Sequence, residues 1–183
     1  LANMAATLQT ISGGRLLLGL GAGGSRRTPY AVEQAAIGQT VERDSVRAQR
    51  VVDAITLIRR LWGGESGFLR PEPTPPPIIV GGFGPRMAGI AGRYGDGFNT
   101  QAFHPQLADL ARTAREAHAA SAREASRFTM TVFAGLEGRW LRADSRARQV
   151  VERAGVDRLI LLVSPPFDTG EIRAAGRLLA PTS

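Results

Sequence analysis

The sequence predicts an α/β fold in which five strand–helix units surround a parallel sheet. Three observations predict it. Short aliphatic runs alternate with longer stretches whose apolar residues recur every three or four positions, the pattern of strands followed by amphipathic helices. Runs such as Ile78-Ile79-Val80 and Leu159-Ile160-Leu161-Leu162-Val163 are apolar throughout, as strands covered on both faces of a parallel sheet are. Glycine pairs close helical stretches at Gly13-Gly14 and Gly63-Gly64, and prolines open them at Pro85 and Pro105, matching the asymmetry of helix ends. Such a series suits either an open doubly wound sheet or part of an eight-unit barrel.

Taken in order, a helix is expected over about 1–11, then a buried strand from Arg15 to Gly21. A loop through Pro29 follows. The stretch at about 41–62 carries Ala48, Val51, Val52, Ile55, Ile58 and Trp62 on one face, so it reads as a long amphipathic helix. A proline-rich connector over 71–77 leads to the strand Ile78–Gly81. Pro85 opens a helix to about 94, on which Met87, Ile90, Ala91 and Tyr94 share a face. Gly95-Asp96-Gly97 is a turn in which Asp96 reads as a turn former, and Phe98–Gln101 is a third strand. A helix over about 105–122 carries His118 among alanines, which places it at the surface. Residues Phe128–Gly135 alternate as a fourth strand, and Asp144 or Ser145 caps a helix to about 154. The run Arg158–Val163 is a fifth strand, expected to be buried on both faces, and a helix over about 169–179 ends the pattern.

Composition narrows the function. The chain of 183 residues suits one domain, residues 1–183, with no internal boundary. It has no cysteine, which excludes disulfides, iron–sulfur clusters and thiolate zinc sites. No apolar run approaches the roughly 20 residues needed to span a bilayer, and no signal peptide is visible, so no membrane role and a cytoplasmic location are expected. The net charge is +7, and all 23 basic residues are arginine. They are scattered along helical faces rather than clustered, and aromatics are only 6%. A nucleic-acid surface concentrates charge and interleaves stacking aromatics, so none is expected here.

Two glycine-rich strand exits carry the remaining signal. Gly19-Leu20-Gly21-Ala22-Gly23-Gly24 spells the dinucleotide fingerprint directly after a strand. Its context departs from that motif, because Ser25-Arg26-Arg27-Thr28-Pro29 is a loop where a helix should open at once. In Pro77-Ile78-Ile79-Val80-Gly81-Gly82-Phe83-Gly84-Pro85-Arg86, strand, glycines and helix start occur together. Glycines there let main chain approach a ligand, and the N–H groups of Gly82, Phe83, Gly84 and Arg86 are placed to surround a phosphate. Arg86 offers a further charge-assisted contact. Thr100 and Gln101 end the next strand and can donate hydrogen bonds. His104 lies just beyond and reads as a loop residue without function. No His–carboxylate spacing suggests a metal, and no catalytic residue is assigned.

As an ordered set, Ala5-Ala6-Thr7-Leu8, Ile11-Ser12-Gly13-Gly14-Arg15-Leu16, Gly19-Leu20-Gly21-Ala22-Gly23, Pro77–Gly82 and Ala91-Gly92-Arg93-Tyr94-Gly95-Asp96-Gly97-Phe98 resemble the luciferase-like monooxygenase family, in particular its F420-dependent group. The resemblance covers about 1–101 by motif and 102–183 by topology. It implies part of a (β/α)8 TIM barrel, lacking about three N-terminal βα units, with coenzyme F420 or FMN at the carboxyl ends of the strands. It also implies hydride transfer between a small organic substrate and the cofactor, or oxygenation by reduced flavin. Gly81 and Gly82 would contact the cofactor tail by backbone, Gly21 and Gly23 would shape the pocket, and Thr100 and Gln101 stand where some members bind phosphate. The segment Gly24-Ser25-Arg26-Arg27 departs from members that place an acid or amide just after that strand. Two further readings stay open: a non-catalytic remnant or interaction module whose sheet edge pairs with a second copy, and a Rossmann-type nucleotide binder.

Overall fold

The computed structural model describes residues 1–25, 28, 31–68 and 70–179. Arg26, Arg27 and Pro29 of the expected loop lie outside the described residues. The elements run α1 Ala2–Ile11, β1 Leu18–Gly21, α2 Ala31–Ala36, α3 Asp44–Trp62, β2 Ile78–Gly81, α4 Pro85–Tyr94, β3 Gly97–Gln101, α5 Leu107–Ala119, β4 Thr129–Gly135, α6 Gly138–Leu141, α7 Arg146–Arg153, β5 Arg158–Leu162 and α8 Thr169–Leu179. The short helices α2 and α6 are additions to the pattern read from the sequence. Ser145 is the cap of α7, accepting from the Arg148 N–H at 3.2 Å.

Five strands form one sheet in the order β1-β2-β3-β4-β5, and every pair is parallel. A doubly wound sheet reverses its strand order at a switch point. A sequential order instead makes an arc of a barrel, with its helices on one side. The outer face of the arc is the core. Leu18, Ile78, Val80, Phe98 and Met130 pack there against Val51 and Ile55 of α3, Ala88 and Ala91 of α4, and Leu110, Ala111 and Ala114 of α5. A second cluster joins Val132 and Ala134 to Leu107, Trp140 and Val151. Each buried Val, Leu, Ile, Phe or Met side chain contributes about 1.5–3 kcal/mol when taken from water, and each alanine methyl less.

Strand alternation then fixes what faces inward. Gly19, Gly21, Ile79, Gly81, Asn99, Gln101, Thr131, Phe133 and Gly135 stand on the inner face. The inner residues of β5 are open, with Ile160 39% and Leu162 49% exposed. This corrects the expectation that β5 is buried on both faces. It is an edge strand, and among the described residues nothing covers its inner side.

Polar ties hold the entry ends together. Gln9 is 1% exposed; its amide donates to the Thr74 carbonyl at 2.8 Å and accepts from the Leu16 N–H at 3.1 Å. One side chain thereby joins α1, the approach to β1 and the proline connector. Trp62 donates its indole N–H to the Ala2 carbonyl. At the start of β3, the Asp96 carboxylate accepts from the Ile78 N–H at 2.8 Å, from Arg59 of α3 at 2.9 Å and from Arg123. These groups border a cavity of about 460 Å³ at the amino-terminal end of the strands. His118 is another correction: it is 6% exposed, with its ring nitrogens against the Gly92 and Ser126 carbonyls. Its place four residues after Ala114 puts it on the packed side of α5.

Candidate functional site

The carboxyl ends of the strands form one rim. Gly21 pairs with Gly81, Gly81 with Asn99, Gln101 with Phe133, and Gly135 with Leu162. The ladder continues one residue past β2, where the Gly82 N–H donates to the Asn99 carbonyl at 3.0 Å. The chain then turns through Phe83 and Gly84 into α4, whose N-cap Gly84 is extended, has no side-chain cap bond, and is followed by Pro85 in the first turn. The N–H groups of Phe83 and Gly84 have no acceptor among the described residues. That of Arg86 belongs to the first helical turn, where no carbonyl is available.

Glycine is required at 82 by close approach. A Cβ there would lie 2.3 Å from the Met87 Cβ, so the turn must lie flat on the first turn of α4. Elsewhere on the rim, glycine leaves room. A Cβ at Gly19, Gly84 or Gly135 would meet nothing within 4 Å, and one at Gly21 or Gly81 would make only ordinary contact with a backbone oxygen at 3.7 and 3.8 Å. The inner face over β1 and β2 is therefore a strip almost free of side chains.

The rim brings together Gly21, Gly81, Gly82, Gly84 and Gln101. Gly23 lies in the loop after β1 with φ 72°, in the left-handed region that glycine tolerates. Thr100 does not join them. It shares the outer face of β3 with Phe98, is fully buried, and its hydroxyl has no hydrogen-bond partner among the described residues. The Arg86 side chain also stays away, lining an outer groove of about 500 Å³ with Gln49, Gly89, Arg93 and Thr113.

Four residues not assigned from the sequence stand at the site. Asn99 faces inward and donates to the Thr131 hydroxyl at 2.6 Å; its spacing of two from Gln101 was the available signal. Phe133 meets the Phe83 ring edge-on at 6.4 Å. His104 accepts the Gln106 N–H at Nδ1 (3.2 Å), so its neutral ring carries the proton on Nε2 and donates to the Phe83 carbonyl at 3.0 Å. It braces the β2–α4 turn against the β3–α5 turn. Arg47 of α3 donates to the Ala22, Gly23 and Gly24 carbonyls; its place four residues before Val51 on the buried face was legible.

The rim is chemically quiet. Away from the rim, Glu65 is held below the usual carboxylate range by a hydrogen bond from Arg60, and Arg112 is raised first by Asp109 and then by Glu116. No group of three His, Asp or Glu side chains converges among the described residues, and none of their helices is long and apolar enough to cross a membrane. What the rim offers is backbone N–H groups without an acceptor among the described residues, a flat floor, the two amides of Asn99 and Gln101, and two aromatic rings.

The sequence profile of the luciferase-like monooxygenase family matches residues 1–172. The chain belongs to that family. Among luciferase-like proteins, it is 37% identical over 110 residues to an F420-dependent hydroxymycolic acid dehydrogenase of Mycobacterium tuberculosis, a match covering 53% of this chain and 29% of that protein. It is 32% identical over 121 residues to a 5,10-methylenetetrahydromethanopterin reductase of Archaeoglobus fulgidus, covering 58% and 33%. The matched part is thus about a third of the length of these luciferase-like relatives. Two solved structures share the fold over 97% of this chain: an F420-dependent secondary alcohol dehydrogenase in complex with an F420–acetone adduct (TM-score 0.58, 19% identity, 64% of that chain) and the coenzyme F420-dependent tetrahydromethanopterin reductase of Methanopyrus kandleri (TM-score 0.60, 15% identity, 76% of that chain).

Proposed function

We propose that the chain is the part of a luciferase-like oxidoreductase that grips the phosphate-bearing tail of coenzyme F420 at the rim of β1–β3. The observation that carries this reading is the β2 exit. There a strand end of glycines, the N–H groups of Phe83 and Gly84 that have no acceptor among the described residues, and an uncapped helix start follow one another directly. Such a cradle suits an oxyanion, because converging N–H dipoles and the helix end favour negative charge without a fixed basic side chain. F420 is favoured over FMN because the sequence relatives named above are F420-dependent or methanopterin enzymes.

The residues fit that group. A planar or chain-like ligand can lie against Gly19, Gly21 and Gly81 because no Cβ stands in its way. Gln101 and the free oxygen of Asn99 supply inward polar contacts, and Phe83 and Phe133 exclude water from one side. Arg86 contributes its backbone N–H in this arrangement. A bound deazaflavin supplies the hydride chemistry toward a small organic substrate, and the protein supplies orientation and electrostatics. His104, beside the β2 exit, is committed to bracing the Phe83 turn.

Fluorescence titration of the protein with F420 and with FMN tests the reading. Saturable binding of F420, tighter than that of FMN, is expected. Absence of saturable binding by either cofactor, or a preference for FMN, would overturn it.

A further inference from the structure

We infer that Arg47 is a positioning residue that shapes the loop over 22–25 into a second oxyanion receptor, facing the same mouth as the β2 exit. The inference rests on the reading of the rim as a cofactor site, and it concerns a different segment and a different cause. Arg47 lies in the opening turns of α3 and is 8% exposed. One of its terminal nitrogens donates to the carbonyls of Ala22, Gly23 and Gly24 at 2.6, 2.8 and 2.9 Å, and the other donates to Asp44 at 2.7 Å. Three consecutive carbonyls converge on a single cationic head.

In a trans peptide the N–H points opposite to the C=O. With the carbonyls of residues 22, 23 and 24 turned to Arg47, the N–H groups of Gly23, Gly24 and Ser25 turn away from α3. Because α3 packs on the outer face of the arc, away from α3 is toward the inner face, where Gly21 and Gly81 stand. None of those three N–H groups has an acceptor among the described residues. The positive φ of Gly23 lets successive peptides tilt the same way. The result is a nest of N–H groups backed by a buried positive charge, which selects an anion in front of it.

The charge itself points the same way. A buried guanidinium is normally neutralised by a buried carboxylate. Here the acid partner, Asp44, is 78% exposed at its side chain, so carbonyl dipoles do most of the stabilising inside. Their positive ends are what the loop presents to the mouth. Gly24 adds no side chain there, and the receptor is backbone alone.

The test uses the 15N-labelled chain as wild type, Arg47→Gln and Arg47→Lys, with coenzyme F420 and inorganic phosphate as probes. In wild type the Gly23, Gly24 and Ser25 amides are expected to be ordered, with order parameters of about 0.8, and in Arg47→Gln to fall below about 0.6. F420 is expected to shift those amides in wild type and to bind Arg47→Gln about tenfold more weakly or worse. Phosphate is expected to shift the same amides at higher concentration. Arg47→Lys keeps the charge and reaches fewer carbonyls, so it should fall between the two without loss of thermal stability. If Arg47→Gln does not fold, Arg47→Lys carries the comparison. A loop that stays ordered in the folded variants, or F420 affinity that does not change, overturns the inference. Shifts at Gly82–Gly84 with none at Gly23–Ser25 overturn it while leaving the β2 exit reading intact, and no shift anywhere overturns both.

Discussion

Gly82 is held by packing and not by torsion. Its missing Cβ is the space that the Met87 side chain occupies, so Gly82→Ala must push the turn off α4. The expected cost is about 1–3 kcal/mol of stability, in the range of overpacked sites, read by chemical denaturation. His104 acts on the same turn from outside. Because Nδ1 accepts and Nε2 donates, His104→Ala should loosen Phe83 and weaken F420 binding severalfold, with the thermal midpoint nearly unchanged, as calorimetry would show. Asp96 is the contrasting case, at the opposite end of the strands. Its side chain is 19% exposed and faces Arg59 and Arg123, themselves 27% and 29% exposed. Asp96→Ala leaves a backbone N–H and two half-buried cations without their acceptor. A loss of about 2–3 kcal/mol is expected in a urea titration, with little direct effect on the distant rim.

Between elements, α4 lies in close contact with α5. A Cβ at Gly92 would lie 2.2 Å from the Ala114 carbonyl oxygen, and His118 reaches the Gly92 carbonyl across the same seam at 3.3 Å. Gly92→Ala should therefore lower the melting temperature by several degrees, measured by circular dichroism, because the two helices must separate. The elements themselves were largely legible. Proline and glycine punctuation placed α4, and aliphatic runs placed β2 and β5 within a residue or so. Exposure was less legible, since an apolar run does not say whether its strand is central or at an edge, and Ile160 and Leu162 stand open for that reason. The glycine-rich exits were readable because close backbone approach leaves a mark in composition. The orientation of Thr100 needed the pleat, which puts it with Phe98 and gives the rim to Asn99 and Gln101. The three-carbonyl grip of Arg47 and the two-arginine clamp of Asp96 join residues 23–25 and 27–37 positions apart, and such separations leave no local pattern.

At the scale of the whole molecule, the arc has apolar surface on two sides. Leu1, Met4, Leu8 and Ile11 are all more than half exposed and form a stripe along α1, and the inner side of β5 is open. In a closed (β/α)8 barrel, further strand–helix units cover both surfaces. The chain by itself is expected to bind the dye ANS and to elute above its 19.5 kDa mass in size-exclusion chromatography with light scattering; a clean monomer that leaves the dye dark would contradict this. The central claim concerns the other end of the strands, where backbone geometry replaces charged side chains. It is tested most directly by F420 titration of wild type beside Gly82→Ala, both shown to be folded by circular dichroism. Saturable binding to wild type, weakened about tenfold or more in the variant, is the expected result. Equal affinity in the two proteins, or no binding to wild type, would contradict the account.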